Sequence, residues 1–409
     1  GAVVVGDILV LGNNDLVRQG VTFSDAATGE ALWSLETEQF VVALTSEAVV
    51  TRQSARGEAF TYNINVYDIA TGDKRFSHQY VTLTSWPSMV ATEDAYFVVE
   101  DDVPEQTQYL TAVDLTTGDT RWQLLSTGGS DDPIALTPTP IPAIDSVETL
   151  QQTNLRLATD SPVVFFSDDH SETGQTRVLD TATGDVVGTV DTRIGPRWTG
   201  WATDKGSIVV TPAPNSFIDH KEHGYCTQTI HVVDTDLQSF PISTQVTSIG
   251  DGWECHSMDG RPHITHTHLY GQTADRKPEL VELATGNTLW TADETAMPVY
   301  VTDNVVFHAK GTRTQRSPVE AVDINTGKTL WRASMTIGGR NTTHATTLYT
   351  SPDHYEENTV NRPPITYSID IASGTIHWQL PNTTLLTAND DYLYLYDHDK
   401  STINAIPIE

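Results

Sequence analysis

Phe23-Ser24-Asp25-Ala26-Ala27-Thr28-Gly29-Glu30-Ala31-Leu32-Trp33 runs from a strand-like end through an acid and a Thr-Gly pair into an apolar stretch that carries a tryptophan. The phrase returns with its acid at Asp68 before Thr71-Gly72, at Asp114 before Thr117-Gly118 and Trp122, and at Asp180 before Thr183-Gly184. It returns again at Glu282 before Thr285-Gly286 and Trp290, at Asp323 before Thr326-Gly327 and Trp331, and at Asp370 before Ser373-Gly374 and Trp378. A degenerate copy stands at Asp234, where Asp236-Leu237 replaces the Thr-Gly pair. Successive acids are 43, 46, 66, 54, 48, 41 and 47 residues apart.

Each part of the phrase has a local physical reason. The glycine supplies the positive φ that a tight hairpin turn needs. The acid and the threonine hydroxyl can accept hydrogen bonds from turn amides. The tryptophan offers a wide apolar plate for packing between neighbouring sheets. Between phrases lie two further strand candidates, such as Val41–Leu44 with Ala48–Thr51, and Pro298–Val301 with Val305–Phe307. Alternation of apolar residues with period two speaks against a helical solenoid. A period of roughly 40–50 residues with strand content is the signature of propeller blades. The expectation is therefore an all-β chain, a β-propeller of four-stranded antiparallel blades forming one domain over residues 1–409. Eight complete repeats set eight blades as the expected number. The stretch Leu385–Ile408 repeats three strands and keeps nine open.

Composition narrows the function. With 54 acidic against 23 basic residues the formal net charge is −31, so phosphate backbones are repelled and nucleic acid is excluded as a partner. No apolar run reaches membrane-spanning length. The chain opens directly on a strand-like stretch, which is read as a signal or lipid anchor lying outside this sequence. Two cysteines, Cys226 and Cys255, sit in polar, loop-like sequence and are expected to form one disulfide, placing the protein in an oxidising, extracytoplasmic compartment.

The phrase of strand, acid, small residue, Thr-Gly and Trp resembles the repeat of the pyrroloquinoline-quinone (PQQ)-like propeller family, and the resemblance covers essentially the whole chain. It implies the propeller fold. That family includes quinoprotein alcohol dehydrogenases and also non-catalytic propellers, among them the lipoprotein that assists outer-membrane protein assembly. Its dehydrogenases carry a disulfide between adjacent cysteines beside the quinone. Here Cys226 and Cys255 are far apart in sequence, and no calcium-ligand cluster with a neighbouring Asp base stands out. The expectation is thus a propeller without PQQ, calcium remaining open as a bound ion.

In such a fold the Thr-Gly turns share one face, short and uniform, and the opposite face is expected to carry all the length variation. The variable segments are 126–153, 212–225, 246–261, 311–317 and 351–364. Variable loops on a rigid scaffold are where binding evolves. Two of them hold the densest chemistry: His220, His223, Tyr225 and Cys226 in one, and Trp253, Cys255, His256 and His263 in the other. These residues form the candidate ligand-binding face. No familiar zinc or copper spacing is matched, so no metal ligands are assigned. His266 and His268 alternate as though on one strand. The pairs Asp101-Asp102, Asp131-Asp132 and Asp168-Asp169 are read as exposed loop carboxylates. No nucleophile-elbow sequence is present. The functional expectation is a secreted or envelope-anchored scaffold that engages a protein, peptide or glycan through the long-loop face. The alternative is an enzyme on that same face, a divergent quinoprotein dehydrogenase, lyase or hydrolase.

Overall fold

A computed structural model describes residues 2–12, 20–35, 38–55, 61–81, 89–102, 107–125, 135–137, 163–167, 176–190, 199–202, 208–211, 218–220, 225–233, 239–247, 263–264, 267–273, 277–302, 304–309, 319–335, 337, 340–351 and 364–408. Among these residues every regular element is a strand. They form nine antiparallel sheets, seven of four strands in simple consecutive order, a fifth sheet of five strands and a last one of three. The sheets are blades of the β-propeller kind, as the repeat predicts.

The strands divide between two compact units. In the first unit, the first sheet comprises Ala2–Val5, Ile8–Leu11, Thr22–Asp25 and Ala31–Ser34. The second comprises Phe40–Leu44, Ala48–Ser54, Thr61–Asp68 and Lys74–Val81. The third comprises Met89–Ala91, Ala95–Asp102, Thr107–Asp114 and Thr120–Leu125. The fourth comprises Ala135–Thr137, Val163–Ser167, Thr176–Asp180 and Val186–Val190. In the second unit, the sixth sheet comprises His263–Ile264, His268–Gln272, Pro278–Glu282 and Thr288–Thr291. The seventh comprises Met297–Val301, Val305–Ala309, Val319–Asp323 and Thr329–Ala333. The eighth comprises Arg340–His344, Thr347–Ser351, Ile365–Asp370 and Ile376–Pro381. The last has Thr383–Ala388, Tyr392–Asp397 and Thr402–Pro407.

The turn chemistry is that of the repeat phrase. At the second sheet, Asp68 Oδ1 accepts the N–H groups of Ala70 and Thr71, each at 3.0 Å, and Thr71 Oγ1 accepts the N–H of Asp73 at 3.2 Å. Gly72, at φ 76°, donates its own N–H to the Asp68 carbonyl at 2.9 Å. The same bonds recur at Asp114, Asp180, Asp323 and Asp370. Strands three and four then pair with a bulge beside the turn, as between Val66 and Tyr67.

Among the described residues the cores lie between sheets, not within one. Buried side chains cluster between consecutive sheets: Phe23, Val10, Leu44, Val49 and Tyr67 join the first to the second, and Ile64, Val66, Tyr96, Val98 and Leu115 join the second to the third. Phe307, Ala321, Leu348 and Ile369 do the same for the seventh and eighth. A sheet cut from its neighbours would expose both faces, which is why repeats of this length fold only as stacks. Tryptophan ties four of the pairs, and Phe76 takes its place against Gly118 between the second and third sheets. The Trp331 indole N–H donates to the carbonyl of Ile371, the residue after the next acid, at 2.7 Å. Trp33 does so to Ile69 at 2.8 Å, Trp122 to Thr181 at 3.0 Å and Trp290 to Ile324 at 2.7 Å.

Three expectations are corrected. The first strand of the fourth sheet is Ala135–Thr137, paired with Val163–Ser167. Because Val163 pairs with Asp180, the turn acid, connection 138–162 joins the sheet at its Thr-Gly end. That part of segment 126–153 therefore does not belong with the opposite loops. The uniform Thr-Gly face has one long interruption, since antiparallel order leaves no other end for a link between strands one and two. Second, Asp101 and Asp102 are strand residues, opposite Gln108 and Thr107. Third, His268 begins a strand that folds back on His263–Ile264, with His263 opposite Tyr270. His268 and His263 thus lie on two separate strands, and His266 lies outside the described residues.

Candidate functional site

The fifth sheet carries the first of the two chemistry-rich segments. Thr199–Ala202 pairs with Ile208–Thr211, which pairs with the end of Tyr225–Val233. The short strand Ile218–His220 folds against the start of Tyr225–Val233, so that His220 faces Tyr225, Asp219 faces Cys226 and Ile218 faces Thr227 in register. The sequence predicts a loop here. Instead, backbone pairing joins two strands at the loop end of the sheet, with His220 and Tyr225 as its last pair. His223, Trp253, Cys255 and His256 lie outside the described residues.

His263 sits in a two-residue strand opposite Tyr270. Burial pushes its imidazole down from the ordinary histidine value, and a bond to the backbone of Pro298 works the other way. The residue as a whole keeps intermediate exposure. A neutral ring at pH 7 follows, a packed structural histidine more than an open cationic contact.

At the opposite, Thr-Gly end the polar groups are satisfied in-house. Arg121 grips Asp114 at 2.8 Å and Asp94 at 2.7 Å and also donates to the Asp94 carbonyl at 2.9 Å. It thereby locks the turn between strands three and four to the turn between strands one and two. Arg75 repeats the device, reaching Asp68 at 2.9 Å and the Glu47 carbonyl at 2.8 Å. Hydrogen bonds from Thr28 hold the Asp25 carboxyl below its usual range. At Asp370 the hydroxyl and N–H of Ser373 do the same. Carboxylates already occupied by their own turn are poor ligands for anything else.

One constellation has the residue types of a catalytic relay and was not visible in sequence. Tyr270 Oη bonds His308 Nδ1 at 2.9 Å, and His308 Nε2 stands 3.4 Å from Glu320 Oε2. Glu320 accepts from Thr329 and, at 2.9 Å, from Arg332. Desolvation pushes the Glu320 carboxyl up, but the bonds from Thr329 and Arg332 and the adjacent His308 outweigh it and bring it to about 2. Tyr270 is 0% exposed, so no substrate reaches the end where a nucleophile would stand. The relay ties the second strands of the sixth and seventh sheets to each other. A second polar cluster, Tyr80 with Tyr96 at 2.7 Å and His78 with Tyr96 at 3.0 Å, links the second and third sheets in the same way, and burial raises the Tyr80 hydroxyl to about 12. Among the described residues no group of three His, Cys, Asp or Glu is placed to hold a metal.

Residues 1–124 match the family model described as outer membrane protein assembly factor BamB. The repeated phrase continues beyond the matched part, its turn bonds to Asp370 and its tryptophan tie to Trp331. The chain is also similar to a crystal structure of a eukaryotic initiation factor, at 12% identity and a TM-score of 0.53, over 93% of this chain and 87% of that one. That likeness supports the fold. BamB from Moraxella catarrhalis aligns at 14% identity and a TM-score of 0.44, over 100% of this chain and 94% of its own. Dihydro-heme d1 dehydrogenase NirN aligns at 13% and 0.42, over 98% and 73%. No curated protein matches the chain. No described helix is long and apolar enough to cross a membrane.

Proposed function

We propose that the protein is an extracytoplasmic scaffold, one propeller domain that engages a protein or peptide through the loop ends of its sheets and works without PQQ. The observation that carries this is the contrast between the two ends of the sheets. At the Thr-Gly end the hydrogen-bond set repeats from sheet to sheet and uses up its own carboxylates. At the other end, connections range from the single residue Asn382 between Pro381 and Thr383 to the fifteen between Thr247 and His263, and there His220 pairs with Tyr225. Apart from connection 138–162, the scaffold is held constant at one end and varied at the other, which is how loop-borne recognition is built. The BamB description of the matching family favours a protein partner and an envelope location. The widely spaced Cys226 and Cys255 favour a staple between two loops in an oxidising compartment and lack the adjacency of the quinone-site pair.

Site-specific photo-crosslinkers test this in living cells. A probe at Tyr225 is expected to capture a partner, and one at Thr71 or Ser373 to capture none. Adducts formed only from the Thr-Gly end would overturn the assignment. Alcohol or sugar oxidation by the purified chain after addition of PQQ and calcium would instead establish the enzymatic alternative.

A further inference from the structure

The chain holds two Asn-x-Thr sequons, Asn341-Thr342-Thr343 and Asn382-Thr383-Thr384, and the fold treats them in opposite ways. Asn341 lies within Arg340–His344, opposite Thr350, and is 1% exposed. Its Oδ1 accepts the hydroxyl of Thr350, itself fully buried, at 2.7 Å. A sugar on the Asn341 amide has no route to solvent unless the first two strands of the eighth sheet separate.

Asn382 stands in the short connection between the eighth and last sheets. Its φ is 57°, the left-handed turn conformation in which asparagine is enriched among non-glycine residues. Its Nδ2 donates to Asp399 Oδ2 at 2.7 Å in an exposed pair. The hydroxyl of Thr384, the third residue of the sequon, bonds His398 Nε2 at 2.9 Å, also at the surface. Rotation of one side chain frees the amide without disturbing a strand, because the turn itself is held by the Asn382 carbonyl, which accepts the N–H of His398 at 2.8 Å.

We propose that Asn382 is an N-glycosylation site and that Asn341 is not, an inference that rests on the extracytoplasmic reading above. The donor is an oligosaccharide carried on a polyprenyl pyrophosphate. The Asn382 Nδ2 forms a bond to the anomeric carbon, the bond from that carbon to the pyrophosphate oxygen breaks, and the polyprenyl pyrophosphate leaves with the electron pair. Nδ2 gives up one proton. A bulky, solubilising glycan at this point stands at the loop end of the last sheet, beside the hairpin Asp397–Thr402. A glycan placed on Asn341 before folding prevents the eighth sheet from closing, so the folded population carries the sugar at Asn382 alone.

The test sends the full chain, behind a signal peptide, through the secretory pathway of a eukaryotic cell, whose own lipid-linked oligosaccharide is the probe. A single electrophoretic shift is expected, removed by peptide N-glycosidase, absent in Asn382→Gln and Thr384→Ala, and present in Asn341→Gln. Digestion of the wild-type protein in heavy-oxygen water makes the test independent of variant folding: labelled aspartate is expected at 382 and not at 341. Secreted, folded protein with no glycan, with the label at 341, or with a shift that survives Asn382→Gln overturns the proposal. Fractionation of the native cells separately tests export, so glycosylation in the secretory host combined with a cytoplasmic native location sinks the export reading and leaves the site's competence standing.

Discussion

Gly72 lies so close to Trp33 of the preceding repeat that a Cβ built on it would stand 2.6 Å from indole Cδ2. Gly29 shares the left-handed backbone, at φ 73° against 76°, but a Cβ there meets nothing within 4 Å. The pair separates two reasons for glycine in one turn. Gly29→Ala is expected to cost about 1 kcal/mol, the left-handed backbone alone. Gly72→Ala adds overpacking against a ring that stacks on Phe23 at 3.9 Å and is expected to cost about 2–4 kcal/mol. Urea titrations of both variants decide it, and equal losses would show that the ring yields freely.

Glu320 sets an acid limit on the second unit. Its folded pKa, about 2, lies below the ordinary 4.5, so its contribution is fully present above about 4.5 and disappears as pH falls toward 2. Glu320→Gln is expected to cost about 1–3 kcal/mol at pH 7, the range for a hydrogen bond to a charged group. The gap to wild type should narrow below pH 4. Unfolding midpoints measured at both pH values check this, and a gap that widens in acid would contradict the assignment.

The net charge of −31 predicts a salt response. Among the described residues Arg75, Arg121 and Lys400 pair with the turn carboxylates Asp68, Asp114 and Asp397, and with 54 acids against 23 bases self-repulsion opposes the folded state. Raising salt from about 0.01 M to 1 M shortens the screening length from about 30 Å to about 3 Å. The thermal midpoint should climb across that range, and a flat or falling profile would show that repulsion is negligible.

A Cys226–Cys255 bond closes a loop of about 30 residues and, by the chain-entropy relation, contributes about 3–4 kcal/mol. Mass spectrometry of unreduced protein should find the two peptides joined. Two free thiols would remove the staple and the support it gives to an oxidising compartment.

The repeat phrase made the blades legible because each of its residues has one local job: a carboxylate for two amides, a glycine for one dihedral, an indole for one carbonyl. It also left strands one and two readable where alternation is strong, as at Phe40–Leu44 with Ala48–Ser54, but not where it is weak. Ala135-Leu136-Thr137 gives no strand signal strong enough to show that the long segment after it leaves from the Thr-Gly end. The Tyr270–His308–Glu320 relay was hidden for another reason. Its members look like ordinary alternating polar residues until stacking brings two sheets together. The segment that sets His220 against Tyr225 was read as loop because its pairing is carried by backbone groups, which every residue possesses.

Trp33, Trp122, Trp290 and Trp331 reach forward, each from one repeat to the carbonyl that follows the acid of the next. A unit with such a tryptophan and such an acid is therefore a donor on one side and a receiver on the other, and any copy with both halves intact can stand in for any other. Genetic duplication or deletion of a whole unit leaves the joints chemically unchanged, provided the crossover falls between a tryptophan and the following acid. Such a chain can change length without inventing new contacts. At Asp234-Thr235-Asp236-Leu237 the sequence has lost the receiving glycine, and there the units cease to be exchangeable.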